Sequence, residues 1–255
     1  MTVQAKKFLG QHFLKDLNIA EKIAQSLTTT TANTKVIEVG PGMGVLTQFL
    51  LKMPLDLSVI EIDHESVVWL KEHFPLLEDR IIEGDFLQLD LKAILGENGA
   101  IIGNFPYNIS SQILFHCLEN RESVKEVVGM FQKEVAERVA SKHGNKTYGI
   151  LSVLLQVFYT IEYLFTVSEQ VFQPPPKVKS GVIRLIRKDD VQLGVTDQWF
   201  KTVVKTGFNQ RRKTLRNALK PIMNGKNSEH LFMEKRAEQL SPDDFIELAK
   251  HIQSL

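Results

Sequence analysis

The sequence predicts an α/β fold, in which a doubly wound and mostly parallel β-sheet is followed by a small all-α domain. Short apolar runs alternate with helix-like segments between residue 36 and about residue 131, which is the pattern of a parallel sheet covered by helices. After Lys188-Asp189-Asp190 the β-branched runs stop and the pattern becomes helical. We therefore predict one domain over residues 1–190 and a second over residues 191–255.

The individual elements follow from the apolar patterns in chain order. Apolar residues at helical spacing predict an amphipathic helix over about residues 17–27. Parallel strands are predicted at 36–39, 57–62, 81–83, 100–103 and 127–131. Residues 160–167 and 181–186 are rich in β-branched residues and are joined by a proline-rich loop without a helix, which predicts an antiparallel hairpin at the sheet edge. A last helix is marked by Phe245, Leu248, Ile252 and Leu255.

Composition excludes several classes of protein. Apolar residues make up 43% of the chain and charged residues 24%, and no apolar run approaches the roughly 20 residues of a membrane span. The N-terminal residues lack the apolar core of a secretion signal, and a single Cys117 forms no internal disulfide. We expect a monomeric cytoplasmic protein without a membrane partner. Since His116-Cys117 lies among apolar residues with no further spaced ligands, we expect no metal site.

Positive charge is concentrated in one segment, although the net charge is only +1. Between Lys201 and Lys226 there are eight basic residues and no Asp or Glu: Lys201, Lys205, Arg211, Arg212, Lys213, Arg216, Lys220 and Lys226. On a predicted helix, Arg212, Arg216 and Lys220 share one face and the apolar Leu215, Leu219 and Ile222 share another. A solvated helix face is the simpler interpretation, but the missing acidic partners favour a polyanion.

A glycine cluster follows the first strand, where an open α/β sheet binds its ligand. The stretch is Glu38-Val39-Gly40-Pro41-Gly42-Met43-Gly44, and glycines there let the backbone approach a ligand closely. Because Val45 stands where the dinucleotide fingerprint has its third glycine, that fingerprint is not met.

Acidic residues end the next two strands. Glu61 lies about 20 residues past the glycines, where a carboxylate accepts hydrogen bonds from ribose hydroxyls. Asp85 and Phe86 follow the third strand and offer an acceptor for an adenine amino group and a ring for its face. The alternative for Glu61 and Asp85 taken singly is that they are solvated surface acids. The alternative for the whole set is a dehydrogenase site, but no sequence pattern for binding the nicotinamide half of a dinucleotide follows. The set predicts a nucleoside pocket without dedicated phosphate binders, which suits S-adenosylmethionine.

The tetrapeptide Asn104-Phe105-Pro106-Tyr107 follows the strand at 100–103 and suits an aromatic amine. Adenine N6 is a poor nucleophile, because its lone pair is delocalised into the ring. If the side-chain oxygen of Asn104 and the carbonyl of Phe105 or Pro106 accept the two amino hydrogens, the lone pair localises and points at a sulfonium methyl. No general base is then required.

Two aromatic residues are candidates for holding the target base. Tyr107 is expected to stack on one face, a contact worth about 1–3 kcal/mol. Phe172 precedes Gln173-Pro174-Pro175-Pro176-Lys177, a stiff loop that is expected to hold its ring on the opposite face. The alternative for Phe172 is a core position beside the hairpin.

Together these motifs resemble the bacterial ribosomal RNA adenine N6,N6-dimethyltransferase family. The resemblance extends from residue 6 to about residue 225 and is carried by the stretches 7–14, 38–47, 104–111, 130–135, 172–180 and 208–217. It implies a Rossmann-like, S-adenosylmethionine-dependent methyltransferase domain and a helical RNA-binding domain. The implied substrate is two adjacent adenosines in the 3′-terminal hairpin loop, helix 45, of 16S rRNA in the maturing small ribosomal subunit.

The resemblance also implies roles for particular residues. The segment around Gln11, His12 and Leu14 is expected to close over the cofactor, which positions matching Gly40, Glu61, Asp85 and Asn104 bind. His12 stands where the family commonly has Asn, and Phe105 where it has Leu. The remaining candidates are the following: Glu38, Gly42 and Phe86 for the cofactor, and Lys177, Arg211, Arg212, Lys213, Arg216 and Lys220 for RNA.

Two other functions fit the same fold. One is methylation of adenine in 23S rRNA, the macrolide-resistance type of enzyme, which shares the tetrapeptide. Asn108 and the stretch 211–217 favour the small-subunit enzyme instead. The other is a ribosome-assembly or transcription factor that has lost its chemistry, against which the intact Asn104, Pro106 and Tyr107 argue.

Overall fold

The computed structural model describes residues 3–223 and 225–255. The strands are β1 Phe13–Leu14, β2 Lys35–Val39, β3 Asp56–Glu61, β4 Ile81–Glu83, β5 Gly99–Asn104, β6 Val124–Gln132, β7 Tyr159–Val167, β8 Phe172–Gln173 and β9 Ser180–Arg187. The α-helices are α1 Leu17–Ala24, α2 Thr47–Leu50, α3 His64–His73, α4 Leu91–Leu95, α5 Ser110–Glu119, α6 Lys133–Ala140, α7 Ile150–Phe158, α8 Asp197–Asn209, α9 Leu215–Ala218 and α10 Pro242–Ser254. Within these residues, no helix has the length and apolar character needed to cross a membrane.

A seven-stranded sheet is the centre of the fold, with the strand order β4-β3-β2-β5-β6-β9-β7. The neighbours from β4 to β6 pair in parallel, and β9 pairs antiparallel with β6. The predicted α/β class with one antiparallel edge is therefore confirmed. From β2 the chain adds strands toward β4 on one side, and from β5 it adds strands toward β6 on the other. The strand order therefore changes direction between β2 and β5, and a crevice opens outside the carboxyl ends of these two strands. That crevice is where the glycine cluster and Asn104 meet.

The chain forms two compact units, Met1–Ala136 with Ile161–Arg187 and Glu137–Thr160 with Lys188–Leu255. One break, after Arg187, lies close to the boundary predicted near residue 190. The segment 137–160, however, groups with the C-terminal part of the chain, whereas the sequence pattern placed it in the first domain. It carries α7, a helix buried at most of its positions, which sequence alone could not distinguish from a crossover helix between two strands.

The basic segment is not one continuous helix. The helix α8 ends at Asn209, and the next helix, α9, covers only Leu215–Ala218. The prediction that Arg212, Arg216 and Lys220 share one helical face is therefore wrong. Leu215 and Leu219 are nevertheless fully buried and Ile222 is partly buried, because packing of apolar side chains does not require a long helix.

The tetrapeptide after β5 is anchored in the core by its second residue. The Phe105 side chain is 1% exposed and packs against the Phe131 ring at a centroid distance of 4.9 Å. It fills the space above two glycines, since a Cβ at Gly129 would lie 2.1 Å from Phe105 Cε2 and a Cβ at Gly103 would lie 3.0 Å from Phe105 Cε1. Glycine at these strand positions is therefore what admits the ring.

We expect Gly129→Ala to lower the free energy of unfolding by about 1–3 kcal/mol, because the added methyl overlaps the buried Phe105 ring. Denaturant titration followed by circular dichroism measures the change. Gly84→Ala is the matched control, since a Cβ there meets no atom within 4 Å, and it should alter stability by less than about 0.5 kcal/mol. Equal stability of the two variants would contradict the anchoring role of Phe105.

Candidate active site

Two adjoining clefts lie at the carboxyl ends of β2, β3 and β5. The first has an empty volume of about 460 Å³, open mouth included, and is lined by residues 9–13, Gly40, Gly42, Glu61, Ile62 and 104–107. The second measures about 380 Å³ and is lined by Phe13, Leu14, Ile23, Glu38, Gly40, Pro41, Met43, Val45, Leu46 and Asn104. Gly40 and Asn104 border both, so the glycine cluster and the tetrapeptide form one continuous site.

The glycine cluster adopts a conformation that other residues rarely take. Gly40 and Gly42 have φ values of 67° and 56°. A Cβ at Gly40 would point toward Pro106 Cδ at 3.9 Å and the Asn104 carbonyl oxygen at 4.0 Å, which places the open backbone face beside the tetrapeptide. This close approach is what a ligand between β2 and β5 requires.

Glu61 holds the glycine cluster in place. Its buried carboxylate accepts backbone hydrogen bonds from Gly42, Ile62 and Asp63, each at 3.0 Å. Burial raises the pKa of Glu61, and these amide hydrogen bonds oppose the rise. A carboxylate has about four acceptor positions, and three of those of Glu61 are used. One acceptor position is left for a ribose hydroxyl, the ligand group predicted for Glu61 from sequence.

Glu38 is a second buried acid at the site. It is 1% exposed, and its Oε2 atom has no hydrogen-bond partner among the described residues although it belongs to a side chain that lines the second cleft. Burial raises its pKa to about 8, so the group is a neutral carboxylic acid at pH 7. An unpaired buried oxygen beside a cleft fits a polar ligand group such as those of S-adenosylmethionine.

Asp85 and Phe86 line neither cleft. The Asp85 carboxylate accepts the backbone N–H of Leu87 at 2.9 Å and caps a short 3₁₀-helix. Phe86 is 4% exposed and packs edge-on against the His116 ring at 5.2 Å. Their predicted contacts with adenine stay a prediction, because the structure places them at the next strand end but outside the two clefts.

Asn104 is oriented by the N-terminal segment. Its side-chain Nδ2 donates a hydrogen bond of 2.9 Å to the backbone carbonyl of His12, which leaves Oδ1 as the acceptor of the amide. Pro106 is different, since its carbonyl already accepts from Ile109 N at 3.3 Å and Ser110 Oγ at 3.2 Å. Of the two backbone carbonyls proposed from sequence, Phe105 therefore has the more available oxygen.

Tyr107 is held through its hydroxyl group and contacts a second ring. Its hydroxyl shares a hydrogen bond of 2.5 Å with Ser180 Oγ, and Ser180 is fully buried at the start of β9. Burial raises the pKa of Tyr107, so the hydroxyl stays protonated at neutral pH. The His12 ring faces Tyr107 at a centroid distance of 5.4 Å and an angle of 32°.

Phe172 is in the core and not in the cleft. It is 1% exposed, packs within the same apolar cluster as Leu14, and pairs with Leu14 in the two-stranded sheet of β1 and β8. It lines neither cleft, so the structure does not bring it opposite Tyr107 as expected from the stiff loop. The position agrees with the alternative interpretation of the sequence, in which Phe172 is a core residue.

The N-terminal segment crosses the site and is tied to it at several points. Gln11 and His12 line the first cleft and Leu14 the second. Lys6 forms ion pairs with Asp63 and with Glu65, the latter at 3.0 Å. Burial would raise the pKa of the Asp63 carboxyl, but the hydrogen bonds from Lys6 and Ser66 hold it below its usual value.

Several of these residues were missed from sequence. Lys6, Asp63, Phe13 and Ser180 carry no chemical motif of their own. Lys6, Phe13 and Ser180 lie inside or beside the stretches 7–14 and 172–180, on which the family resemblance rests, and Asp63 lies two residues after Glu61.

The predicted RNA-binding residues separate into two groups. Arg211 Nη2 donates to the Lys146 and Tyr148 carbonyls at 2.8 Å and pairs with Glu238 at 3.3 Å. Arg216 pairs with Glu234 at 2.6 Å and donates to the Ser228 carbonyl at 2.8 Å. The acidic partners thought to be absent thus come from farther along the chain. The other group, Arg212, Lys213, Lys220 and Lys177, is exposed.

Comparison with known families gives the class of this site. Residues 2–254 match the model of the family described as ribosomal RNA adenine dimethylase. The chain belongs to this family. A relative from Bacteroides thetaiotaomicron, called ribosomal RNA small subunit methyltransferase A, is 56% identical over 98% of this chain and 95% of its own length. A relative of the same name from Cytophaga hutchinsonii is 59% identical, with 96% of each chain covered.

Solved structures show the same architecture. A dimethyladenosine transferase from Plasmodium falciparum superposes with a TM-score of 0.81 at 26% identity, covering 95% of this chain and 98% of that one. The 23S rRNA methyltransferase ErmE superposes with a TM-score of 0.70 at 22% identity, covering 93% and 99%. The family, the methyltransferase fold, the enzyme class and the dependence on S-adenosylmethionine predicted from sequence are confirmed.

We expect the stability of the protein to fall as the pH rises from about 5 to about 8, in part because of Glu38. Its folded-state pKa of about 8 lies above the value of 4.5 for a free side chain, so over this range the folded state binds a proton that the unfolded chain has released. Glu38→Gln should flatten this dependence, whereas Glu21→Gln, at an exposed site on α1, should keep it. Denaturant titrations at several pH values measure the slope, and parallel slopes for wild type and Glu38→Gln would contradict the burial effect.

Proposed function

We propose that the protein dimethylates N6 of two adjacent adenosines in the 3′-terminal hairpin loop of 16S rRNA, in the immature small ribosomal subunit in the cytoplasm. The observation that carries the proposal is the pairing of Asn104 and Tyr107 in one cleft, with the amide held by the His12 carbonyl and the ring held by Ser180. The small-subunit name of the relatives, which are 54–59% identical, supports this substrate over large-subunit RNA.

The cofactor is expected in the two clefts beside the glycine cluster. S-adenosylmethionine supplies an electrophilic methyl group when it is bound. Gly40 leaves the backbone open to it, while Glu61 offers its remaining acceptor position to hydroxyl groups. The neutral Glu38 can donate or accept a hydrogen bond at the deeper end, where its Oε2 is unpaired.

Asn104 and Phe105 activate the amine. With Nδ2 engaged by the His12 carbonyl, Asn104 Oδ1 is positioned to accept one amino hydrogen, and the Phe105 carbonyl accepts the other. These two acceptors draw the nitrogen out of conjugation, so its lone pair is available for attack. The proton released after methyl transfer passes to a carbonyl oxygen or to water.

Tyr107 receives the base. The target adenosine must leave its stack, which costs a few kcal/mol and less in a loop than in a duplex. Stacking on an aromatic ring returns about 1–3 kcal/mol. The hydrogen bond to Ser180 fixes the ring plane in advance, so less order is lost when the base enters.

We expect Asn104→Ala to reduce turnover by roughly 100-fold or more while the fold survives, because one of the two acceptors for the amine is lost. The measurement is transfer of labelled methyl from S-adenosylmethionine to small subunits from a strain that lacks this modification. Asn120→Ala is the matched control, since Asn120 Nδ2 also donates to a backbone carbonyl at 2.9 Å but lies outside both clefts.

Two results would oppose these assignments separately. Near-normal turnover by Asn104→Ala would remove Asn104 from the chemistry. Label that appears only in large-subunit RNA would exclude the proposed substrate.

The exposed basic residues are proposed to hold the RNA backbone. Arg212 and Lys213 lie in the turn between α8 and α9, and Lys220 follows α9. Arg211 and Arg216 are instead engaged by carbonyls and carboxylates of their own unit, so their contribution to RNA binding is expected to be smaller.

We expect the double variant Arg212→Gln, Lys213→Gln to bind small subunits more weakly and with a flatter salt dependence. Loss of two phosphate contacts should lower the slope of log affinity against log salt by about 2. Filter binding over a salt series measures both quantities. Arg216→Gln is the control and should lower the melting temperature while changing the slope less than the double variant does, because its bonds to Glu234 and Ser228 are internal. An unchanged slope in the double variant would mean that Arg212 and Lys213 are solvated and do not contact RNA phosphates.

A further inference from the structure

One residue of the N-terminal segment contacts both groups that the target base needs. The backbone carbonyl of His12 accepts from the Asn104 amide, and the imidazole of the same residue faces the Tyr107 ring. The family resemblance accounts for His12 only as part of the segment that closes over the cofactor.

The spacing between the two rings is too small to admit a base between them. Carbon atoms in contact lie about 3.5–4 Å apart, so a base between two rings needs about 7 Å or more. The centroids of His12 and Tyr107 are 5.4 Å apart. Phe172, the other candidate for the opposite wall, is in the core. His12 therefore lies where a base stacked on Tyr107 would lie.

The imidazole is held in this position by a hydrogen bond. His12 Nδ1 is 2.8 Å from the Pro174 carbonyl, and a carbonyl only accepts, so Nδ1 carries the proton. Pro174 belongs to the loop that ends at Ser180, the partner of the Tyr107 hydroxyl. One loop thus holds both the ring that stacks and the ring that covers it.

We propose that His12 is a gate of the base site, whose imidazole covers Tyr107 until the target adenine displaces it. The inference rests on the proposed function and adds a specificity-determining side chain to it. A planar imidazole covers the apolar face of Tyr107 and excludes water and unspecific bases. Adenine can replace it, since the base stacks on Tyr107 and its amino group also bonds to Asn104 and Phe105.

The test separates the side chain of His12 from its backbone. His12→Ala keeps the carbonyl that holds Asn104 and removes the cover, so the KM for undermodified small subunits should fall about fivefold, the factor expected from one hydrogen bond. The KM for S-adenosylmethionine is measured beside it, because His12 also lines the first cleft, where the cofactor is expected. His12→Asn also lacks a ring, so its KM for subunits should fall by the same factor. Agreement between the two variants shows that the change does not come from a folding defect in one of them.

His73→Ala is the matched control. The His73 ring stacks on Trp69 at 3.6 Å, and its Nδ1 bonds to the Trp69 carbonyl at 2.9 Å, so the same kinds of contact are removed outside both clefts. This variant should leave both KM values unchanged.

A second measurement requires no substrate. In protein labelled with ¹³C at the histidine rings, the His12 signal, assigned by its loss in His12→Asn, should shift in Tyr107→Leu because the ring current is removed. An unshifted signal would overturn the gate.

The kinetic outcomes are equally decisive. A higher KM for subunits in His12→Ala would make His12 a wall of the productive site, and an unchanged KM would make it a structural residue. Either result overturns the gate while the proposed function stands. Absence of methylation by the wild-type protein would overturn the proposed function itself.

Discussion

Burial of the Phe105 ring above Gly103 and Gly129 is the interaction on which the active site depends. The ring is fixed between β5 and β6, in the most buried part of the sheet, so the backbone on either side of it cannot drift. Asn104 on one side and Tyr107 on the other are thereby placed at the carboxyl end of the central strand β5 with a rigid spacing. Catalysis by positioning requires this kind of support, because a small displacement of an acceptor removes its effect on the amine.

The change in the direction of strand order between β2 and β5 places the glycine cluster beside the tetrapeptide. The glycine cluster ends β2, and Glu61 at the end of β3 holds it through a backbone hydrogen bond to Gly42. Two acids at neighbouring strand ends have different environments. Glu61 accepts three amide hydrogen bonds, while Glu38 is buried with an unpaired oxygen and a pKa near 8. The two carboxyl groups therefore offer different hydrogen-bonding environments to one ligand.

The N-terminal segment lines both clefts and contacts Asn104 and Tyr107 of the tetrapeptide. It is secured by the ion pair of Lys6 with Asp63, by pairing of β1 with β8, and by the contacts of His12. Asp63 and the paired Leu14 and Phe172 are buried, whereas the hydrogen bond between His12 and Pro174 is exposed, so the segment is anchored both in the core and at the surface. In the proposed function, the cofactor and the base would therefore both contact this stretch of chain.

The strands of the seven-stranded sheet, the glycine cluster and the tetrapeptide Asn104–Tyr107 were predictable from sequence alone, because each is encoded by local periodicity or by adjacent residues. Tertiary structure decided which distant groups meet: Phe172 joined the core, Arg211 and Arg216 found Glu238 and Glu234, and segment 137–160 joined the second unit. It also decided that the Pro106 carbonyl is engaged and that His12 covers Tyr107. These outcomes depend on contacts between residues far apart in the chain, which no local pattern records.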